Sequence, residues 1–477
     1  MKKDGRALRS YRFLDLTQGM CRKCRKIVDS QIIVRDGSVY QRNICPEHGE
    51  SESMLARDAG WYLKVIESRQ VTDRPKAVAR KIDKVCPFDC GLCAWHEKGL
   101  NLPVFSITNA CNLDCPICFT YNRNDIKYFM SKEEFGKIIE NIVLAQGKVD
   151  LINITGGEPT LHPQLFDLLD LCRRPEIGRV TLNSNGLTLA QDESLVQKLS
   201  EYGIYVILSF NSFNHETTAK IHGQDILDQK MKALENLEKH GVNTTLLNVS
   251  IKNLNDREIG DVLKFCLSHD FIRNLSIQNM TYTGFGGKDF GPREHLPIDE
   301  VIGNICSAMP DVFTPDDFTP LPGSHPLCYS VCYFFHGQAG TFPLKRLFSN
   351  EEYRRLLGSG YLIRPDESFQ ELLNSKIGEI YANRDTFPEA DKILKILRDM
   401  ILRLFPEKRL SEFERQKEAE KCIKNIYIHS HMDEDNFDLS RIVRCGDLVP
   451  DTDGSFTPAC SYNLFYRMHD ERFWKKD

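Results

Sequence analysis

Three cysteines, Cys111, Cys115 and Cys118, stand in the stretch CNLDCPICF, and an aromatic residue, Phe119, follows them directly. A four-iron, four-sulfur cluster takes four external ligands, so three thiolates on one tight loop hold three of its irons. The fourth iron is left for a ligand that is not protein, much as a catalytic zinc keeps one open position. The same C-x3-C-x2-C spacing occurs upstream in CPFDCGLC, as Cys86, Cys90 and Cys93. Further upstream, CRKC and CPEHGE supply Cys21, Cys24, Cys45 and His48. Two pairs of close ligands flanking a hairpin with a DG turn describe a small knuckle around one tetrahedral ion, zinc or iron. Cys328, Cys332, Cys445 and Cys460 lie in short polar or aromatic segments of the last third and make a fourth set. Clustered thiols in a long chain without a secretory start read as metal ligands rather than disulfides. Cys172, Cys266, Cys306 and Cys422 remain, mostly in apolar helical patterns such as VLKFCL, where cysteine packs as a small hydrophobe.

The elements that must position these residues follow from periodicity. Residues 1–84 hold the knuckle and residues 85–100 the second cysteine segment. From 101 to 290, short apolar runs (VFSIT, VDLINIT, RVTLNSN, IYVILSF, NTTLLNVSI, RNLSIQNM) alternate with helical patterns near 131–146, 163–173, 192–202, 224–240 and 256–269. Six such βα steps predict an α/β fold, a partial (β/α)6 TIM-like barrel with right-handed crossovers and chemistry at the C-terminal strand ends. The Cys111 loop follows the first strand, TGGEP (Thr155–Pro159) ends the second, and NSNG (Asn183–Gly186) ends the third. Gly156 and Gly157 free the backbone for close approach to a ligand, and the Glu158 carboxylate can accept from an ammonium group. Residues 291–477 are mixed, and their clearest element is DKILKILRDMILRLF. Its stripe of Ile393, Ile396, Leu397, Met400, Ile401 and Leu404 predicts a helix packed on the core, in preference to one that meets lipid.

A formal charge of -5 gives no basic field for nucleic acid. No window reaches the roughly 20 apolar residues that span a bilayer. The expected location is the cytoplasm, with peripheral contact to the inner face of a membrane left open.

C-x3-C-x2-C after strand one, Phe119, and GGEP after strand two resemble the radical S-adenosylmethionine superfamily over residues 103–285. The resemblance implies that S-adenosylmethionine binds the open iron and is cleaved by one electron to methionine and a 5'-deoxyadenosyl radical. It also implies that Gly156, Gly157 and Glu158 hold the methionine amino group, and that Ser184 or Ser209 reaches the carboxylate or ribose. Together, CPFDCGLC, the CPEHGE knuckle, SHPLCYSVCY and ACSYNLFYR resemble one subgroup, that of tetraether and membrane-spanning lipid synthases. That resemblance implies two auxiliary iron–sulfur clusters, a rubredoxin-like ion and the joining of two lipid tails through a carbon–carbon bond. His48, standing where a rubredoxin site has cysteine, departs from the pattern, and the fourth ligand of the Cys86, Cys90 and Cys93 cluster is open, His325 or a substrate atom being candidates. The expected partners are a lipid substrate and an electron donor such as ferredoxin or flavodoxin. The alternatives are a radical methyltransferase acting on a pterin or other small molecule, a peptide-modifying maturase, and, from another class, a non-catalytic electron carrier. A carrier gains nothing from an open iron.

Overall fold

The computed structural model describes every residue except 1, 4–5, 8, 69–73, 79–80, 121–125, 285, 338–339, 359 and 474–477. At the N-terminus, alternating runs form an antiparallel sheet of four neighbours in chain order: Arg12–Met20 (β1), Ile27–Arg35 (β2), Ser38–Cys45 (β3) and Gly49–Ala56 (β4). One face buries Ile32, Val39 and Ala56 with Tyr62 of Ala59–Glu67 (α1), a helix started by the Asp58 side chain on the Gly60 amide. Farther along β3 the same face turns polar, yet stays buried: Gln41 Nε2 donates to the Phe437 carbonyl at 2.6 Å, and Asn43 Nδ2 to the Asp435 carbonyl at 3.2 Å. The knuckle thereby docks on the C-terminal region through the NH2 groups of both amides.

The six expected parallel strands are Leu102–Ser106 (β5), Ile152–Thr155 (β6), Val180–Ser184 (β7), Tyr205–Ser209 (β8), Thr244–Ser250 (β9) and Ile272–Asn279 (β10). Between them run Lys132–Gln146 (α2), Leu165–Asp170 (α3), Glu193–Glu201 (α4), His215–His222 (α5), Leu227–Lys239 (α6) and Ile259–Ser268 (α7). Ile154, Leu182, Val206, Leu246 and Ile277 share one core with Ile138, Leu168, Val196, Leu237 and Val262 of those helices. This alternation buries both faces of the sheet, as parallel strands require.

The sheet does not stop at residue 290. Tyr329–Gly337 (β11) pairs antiparallel with Ile423–His429 (β12), and β12 pairs parallel with β10. At the opposite edge Asp447–Pro450 (β13) pairs parallel with β5, and Phe456–Pro458 (β14) closes on it as a hairpin. Both edges of the partial barrel are thus covered by C-terminal chain. Lys424 and Asn425 interrupt the apolar run of β12, which hides the strand in the sequence. Lys424 is buried because its ammonium donates to the carbonyls of Cys266 (2.8 Å) and His269 (3.0 Å) at the end of α7.

The longer C-terminal helices are Ile298–Ala308 (α8), Glu367–Ala382 (α9), Ala390–Leu404 (α10) and Glu412–Cys422 (α11). The apolar stripe of α10 packs inward: Ile393, Ile396, Leu397, Met400 and Leu404 share a core with Phe369, Leu373 and Val331. Leu402 points out at 69% exposure. No helix among the described residues is long and apolar enough to cross a membrane. Leu397→Ala should therefore cost about 2–5 kcal/mol of stability, and Leu402→Ala less than about 0.5 kcal/mol, as read by denaturant unfolding. Equal small losses at both positions would mean that α10 is not packed.

Candidate active site and cysteine groups

The loop carrying Cys111, Cys115 and Cys118 leaves the end of β5 and lies on the backbone at the end of β6. A Cβ at Gly156 would sit 2.4 Å from the Thr108 carbonyl oxygen, and one at Gly157 2.2 Å from that of Ala110. Only glycine fits at either position. The close approach that these glycines allow is to the chain itself: Gly157 N–H donates to Thr108 O at 2.8 Å and Glu158 N–H to Ala110 O at 2.7 Å. Both amides are spent on fixing the loop.

Glu158 is fully buried and its carboxylate is already occupied. It accepts from Thr160 N–H (3.2 Å), Thr160 Oγ1 (2.7 Å), Ser184 Oγ (3.0 Å) and Asn185 N–H (2.7 Å). Burial nonetheless holds its pKa above the usual carboxylate range. Ser184 therefore faces Glu158, and the Ser209 carbonyl accepts from the Lys230 ammonium at 2.5 Å. Lys230, on the inward face of α6, also donates to the Asn185 carbonyl at 3.1 Å, and burial lowers its pKa to about 8. Cys118 Sγ lies 3.1 Å from Thr120 Oγ1, and Cys115 Sγ lies 3.3 Å from His222 Nδ1. Burial, helped by the neighbouring negative charges, raises the Cys111 and Cys115 thiols to about 12, so metal binding here releases protons. Three partly buried thiols on one loop are the ligand set of a three-coordinated cluster. A cavity of ≈ 460 Å³ opens over them, lined by Cys111, Asn112, Lys127 and His222.

A second cavity, ≈ 200 Å³, lies inside the barrel mouth. Phe119 and Thr120 reach it from the loop, Asn153 and Asn183 from β6 and β7, Gln278 from β10, and Tyr329, His429, His431, Asp447 and Asn463 from the C-terminal region. Asp447 is buried and accepts from the hydroxyls of both Tyr329 and Tyr361. Directly behind, a cage of ≈ 20 Å³ is walled by Cys328, Cys445, Cys460, His431 and Arg441. His431 Nδ1 is 3.6 Å from Cys460 Sγ, and its ring centroid is 5.5 Å from that of Phe119. The fully buried Arg441 donates to Cys328 Sγ at 3.4 Å and to the carbonyls of Leu327 and Ser430.

Cys332 is not part of this cage, which corrects the fourth set. It stands on β11, where side chains alternate between faces. Tyr329, Val331 and Tyr333 share one core, while Cys332 and Phe334 join the opposite one with Phe313 and Ile426. Cys86 and Cys90 are hydrogen-bonded neighbours, and Cys90 Sγ reaches Ser461 Oγ at 3.3 Å, one residue beyond Cys460. The second and third cysteine groups are thus adjacent. His325 Nδ1 accepts from the Leu327 amide of its own turn at 3.2 Å, and Ser461 is a side chain that meets Cys90. In the knuckle, Cys21, Cys24, Cys45 and His48 present ligand atoms all within 4.8 Å of one another. That set fits a tetrahedral ion.

Sequence reasoning missed His222, Lys230, His431, Arg441 and Asp447. Lys230 had a signal, since it occupies an apolar-face position among Leu227, Ala233 and Leu234. The other four carry none, because their partners are distant in sequence. Cys332→Ala should leave bound iron unchanged, at a cost of about 1–2 kcal/mol for a vacated core thiol. Iron assay of the anaerobically reconstituted protein checks this, and loss of about four irons would return Cys332 to the ligand set.

Residues 105–266 match the Radical SAM superfamily, and residues 13–57 match the HMPTM N-terminal zinc ribbon domain. The chain is 27% identical, over 96% of its own length and 97% of the relative's, to the 7,8-dihydro-6-hydroxymethylpterin dimethyltransferase of Methanocaldococcus jannaschii. A probable GTP 3',8-cyclase of Pyrococcus abyssi is 30% identical over 34% of this chain and 51% of the relative. The mycofactocin maturase MftC of Mycolicibacterium smegmatis is 28% identical over 33% and 40%. Residues 105–266 are thus similar to the Radical SAM superfamily, and the N-terminal sheet to a zinc ribbon of the HMPTM type.

Proposed function

We propose that this enzyme breaks a C–H bond of a pterin-type heterocycle and places a methyl group on that carbon. The end-to-end similarity to the Methanocaldococcus jannaschii dimethyltransferase carries the reading, because it spans ribbon, barrel and C-terminal region alike. Matches confined to the barrel speak only of radical chemistry, which the fold shares with many reactions. The inner cavity supports the same reading. Its amides at Asn153, Asn183, Gln278 and Asn463 offer donors and acceptors to a polar ring, and Phe119 and Tyr329 offer faces for stacking. Asn183 Oδ1 is buried there without a protein partner, as expected of a group that meets a ligand.

In this proposal Cys111, Cys115 and Cys118 hold the radical cluster. Cys86, Cys90 and Cys93, and likewise Cys328, Cys445 and Cys460, hold auxiliary iron–sulfur clusters that pass electrons beside the cavity. A ferredoxin or flavodoxin supplies the first electron. Exchange of C–H for C–CH3 removes one hydrogen atom into 5'-deoxyadenosine and needs a one-carbon donor besides the S-adenosylmethionine cleaved. A second S-adenosylmethionine would fill that role by giving up CH3+ and leaving as S-adenosylhomocysteine, and the carbon radical takes one further electron from the same donor as the C–CH3 bond forms. Coupling of lipid tails, with its lipid partner and membrane contact, calls for a continuous apolar channel. Neither the size of the inner cavity nor the amides in its wall support that reading.

The test is anaerobic turnover of 7,8-dihydro-6-hydroxymethylpterin with methyl-labelled S-adenosylmethionine and a strong reductant. The expected product is heavier by one methylene per transfer and carries the label, and Cys111→Ala should abolish both it and 5'-deoxyadenosine. Deuterium reaching 5'-deoxyadenosine from the terminal methyls of a lipid, or from a peptide, and not from the pterin, would overturn the proposal.

A further inference from the structure

His222 touches the cluster loop from below. The residue ends α5 and is 3% exposed. Its Nδ1 lies 3.3 Å from Cys115 Sγ and its Nε2 3.1 Å from Asn211 Nδ2. The hydrogen-bond network decides which nitrogen carries the hydrogen. Asn211 Oδ1 accepts from the Val249 amide at 2.7 Å, so the NH2 end of that side chain must face His222. An amide NH2 only donates, so Nε2 is the bare acceptor and Nδ1 is the N–H. That hydrogen is directed at the Cys115 sulfur, inside the longer range of hydrogen bonds to sulfur.

The arrangement is locked from behind. The Asn211 carbonyl accepts from Asn248 Nδ2 and Asn255 Nδ2, both at 3.0 Å. Asn255 in turn donates to Val249 O at 2.9 Å and accepts from Ile251 N–H at 2.7 Å. Asn211, Asn248 and Asn255 are each at most 1% exposed. Turning the imidazole over would set two donors against each other in a buried site, at a cost of about 1–3 kcal/mol.

We infer that His222 is a positioning residue that sets the reduction potential of the cluster held by Cys111, Cys115 and Cys118. Reduction adds one negative charge to the cluster and its thiolates. A hydrogen bond to a ligating sulfur stabilises that charge, and hydrogen bonds to sulfur are a principal control of cluster potential. The buried Lys230 ammonium, held on the carbonyls of Asn185 and Ser209, acts in the same direction at longer range. Cleavage of S-adenosylmethionine takes one electron from the reduced cluster. His222 therefore controls how much of the enzyme is ready at a given donor potential, without touching the substrate.

The experiment is a redox titration of the reconstituted holoenzyme, followed by electron paramagnetic resonance. His222→Phe keeps a ring but removes the N–H. It should lower the reduced-to-oxidised ratio at fixed potential about tenfold, which for one electron is a midpoint about 59 mV lower, with iron content unchanged. His222→Gln, whose amide can donate, should recover most of that shift. A wild-type midpoint in His222→Phe, or a midpoint in His222→Gln as low as in His222→Phe, would overturn the inference. A measurement on the unmutated enzyme covers failure of a variant to assemble. With isotopically labelled histidine and unlabelled S-adenosylmethionine, pulsed resonance of the reduced cluster should show weak coupling to one histidine nitrogen. No coupling, or coupling strong enough for a direct iron–nitrogen bond, would also overturn it.

Discussion

The contact between Gly156–Gly157 and Thr108–Ala110 governs the rest of the site. The two stretches of backbone lie so close that no side chain fits between them, and the loop bearing the cluster cysteines is hydrogen-bonded to the neighbouring strand end before any ligand arrives. Buried polar groups then carry the registration outward, strand by strand. Glu158 joins the end of β6 to Ser184 and Asn185 at the end of β7. Lys230 joins the Asn185 carbonyl to that of Ser209 on β8, and Asn211 joins the following turn to Val249 on β9. Each group is charged or polar and out of water, so a missing partner anywhere in the series would cost more than the bond itself contributes. Such a series favours one arrangement of four strand ends. Pre-organisation of this kind suits a site that must direct a short-lived radical.

Much of this was legible in the sequence. Apolar runs and helical stripes of regular length give the six parallel strands and their crossovers, because burial on both faces of a parallel sheet leaves a clear periodic record. Cysteine spacing gives the loop and the ribbon for the same reason, since ligand geometry is local. The strand Ile423–His429 was not legible. Its Lys424 and Asn425 look like loop residues until the carbonyls at the end of α7, more than 150 positions earlier, are seen to receive the lysine. Cys332 was misread for a related reason. Spacing of four from Cys328 suggests a shared site, but strand alternation turns its thiol into the opposite core, and only knowledge of the strand reveals this. The Gly156–Gly157 pair reads in the sequence as a place of close approach, and the structure supplies one partner for it, the backbone of Thr108–Ala110.

The C-terminal region gives the barrel its inner cavity. β12 and β13 extend the sheet at its two edges, and their ends, with the chain between them, bring His429, His431 and Asp447 over the strand ends. Asp447 belongs to β13, yet it receives hydroxyls from Tyr329 of β11 and Tyr361, so its carboxylate ties both flanks of the opening together. His431 stands between the cluster loop and the cysteine cage, near Phe119 on one side and Cys460 on the other. A substrate in this cavity would lie within one residue's thickness of both cysteine groups. Under the proposed function, electron delivery and hydrogen abstraction would be matters of neighbouring walls rather than of distant domains.

The ribbon sits outside that cavity, and its contacts define what it can contribute. Met20 at the end of β1 packs in one apolar cluster with Cys90, Met432, Phe437, Cys460 and Leu464. Arg25, between the two ribbon cysteines of the first turn and β2, donates to the Leu464 carbonyl, and Thr17 donates to Asp438 at 2.5 Å. The ribbon therefore grips the same turns that carry Cys460 and adjoin Cys90. A small antiparallel sheet of four strands has little apolar area with which to hold its own turns, and a tetrahedral ion at Cys21, Cys24, Cys45 and His48 supplies the missing folding free energy. Through these contacts that free energy extends to the cysteine cage. An ion held in the ribbon would stiffen the turns that carry Cys460 from outside the cavity, as suits a closed site whose ligands are all protein side chains.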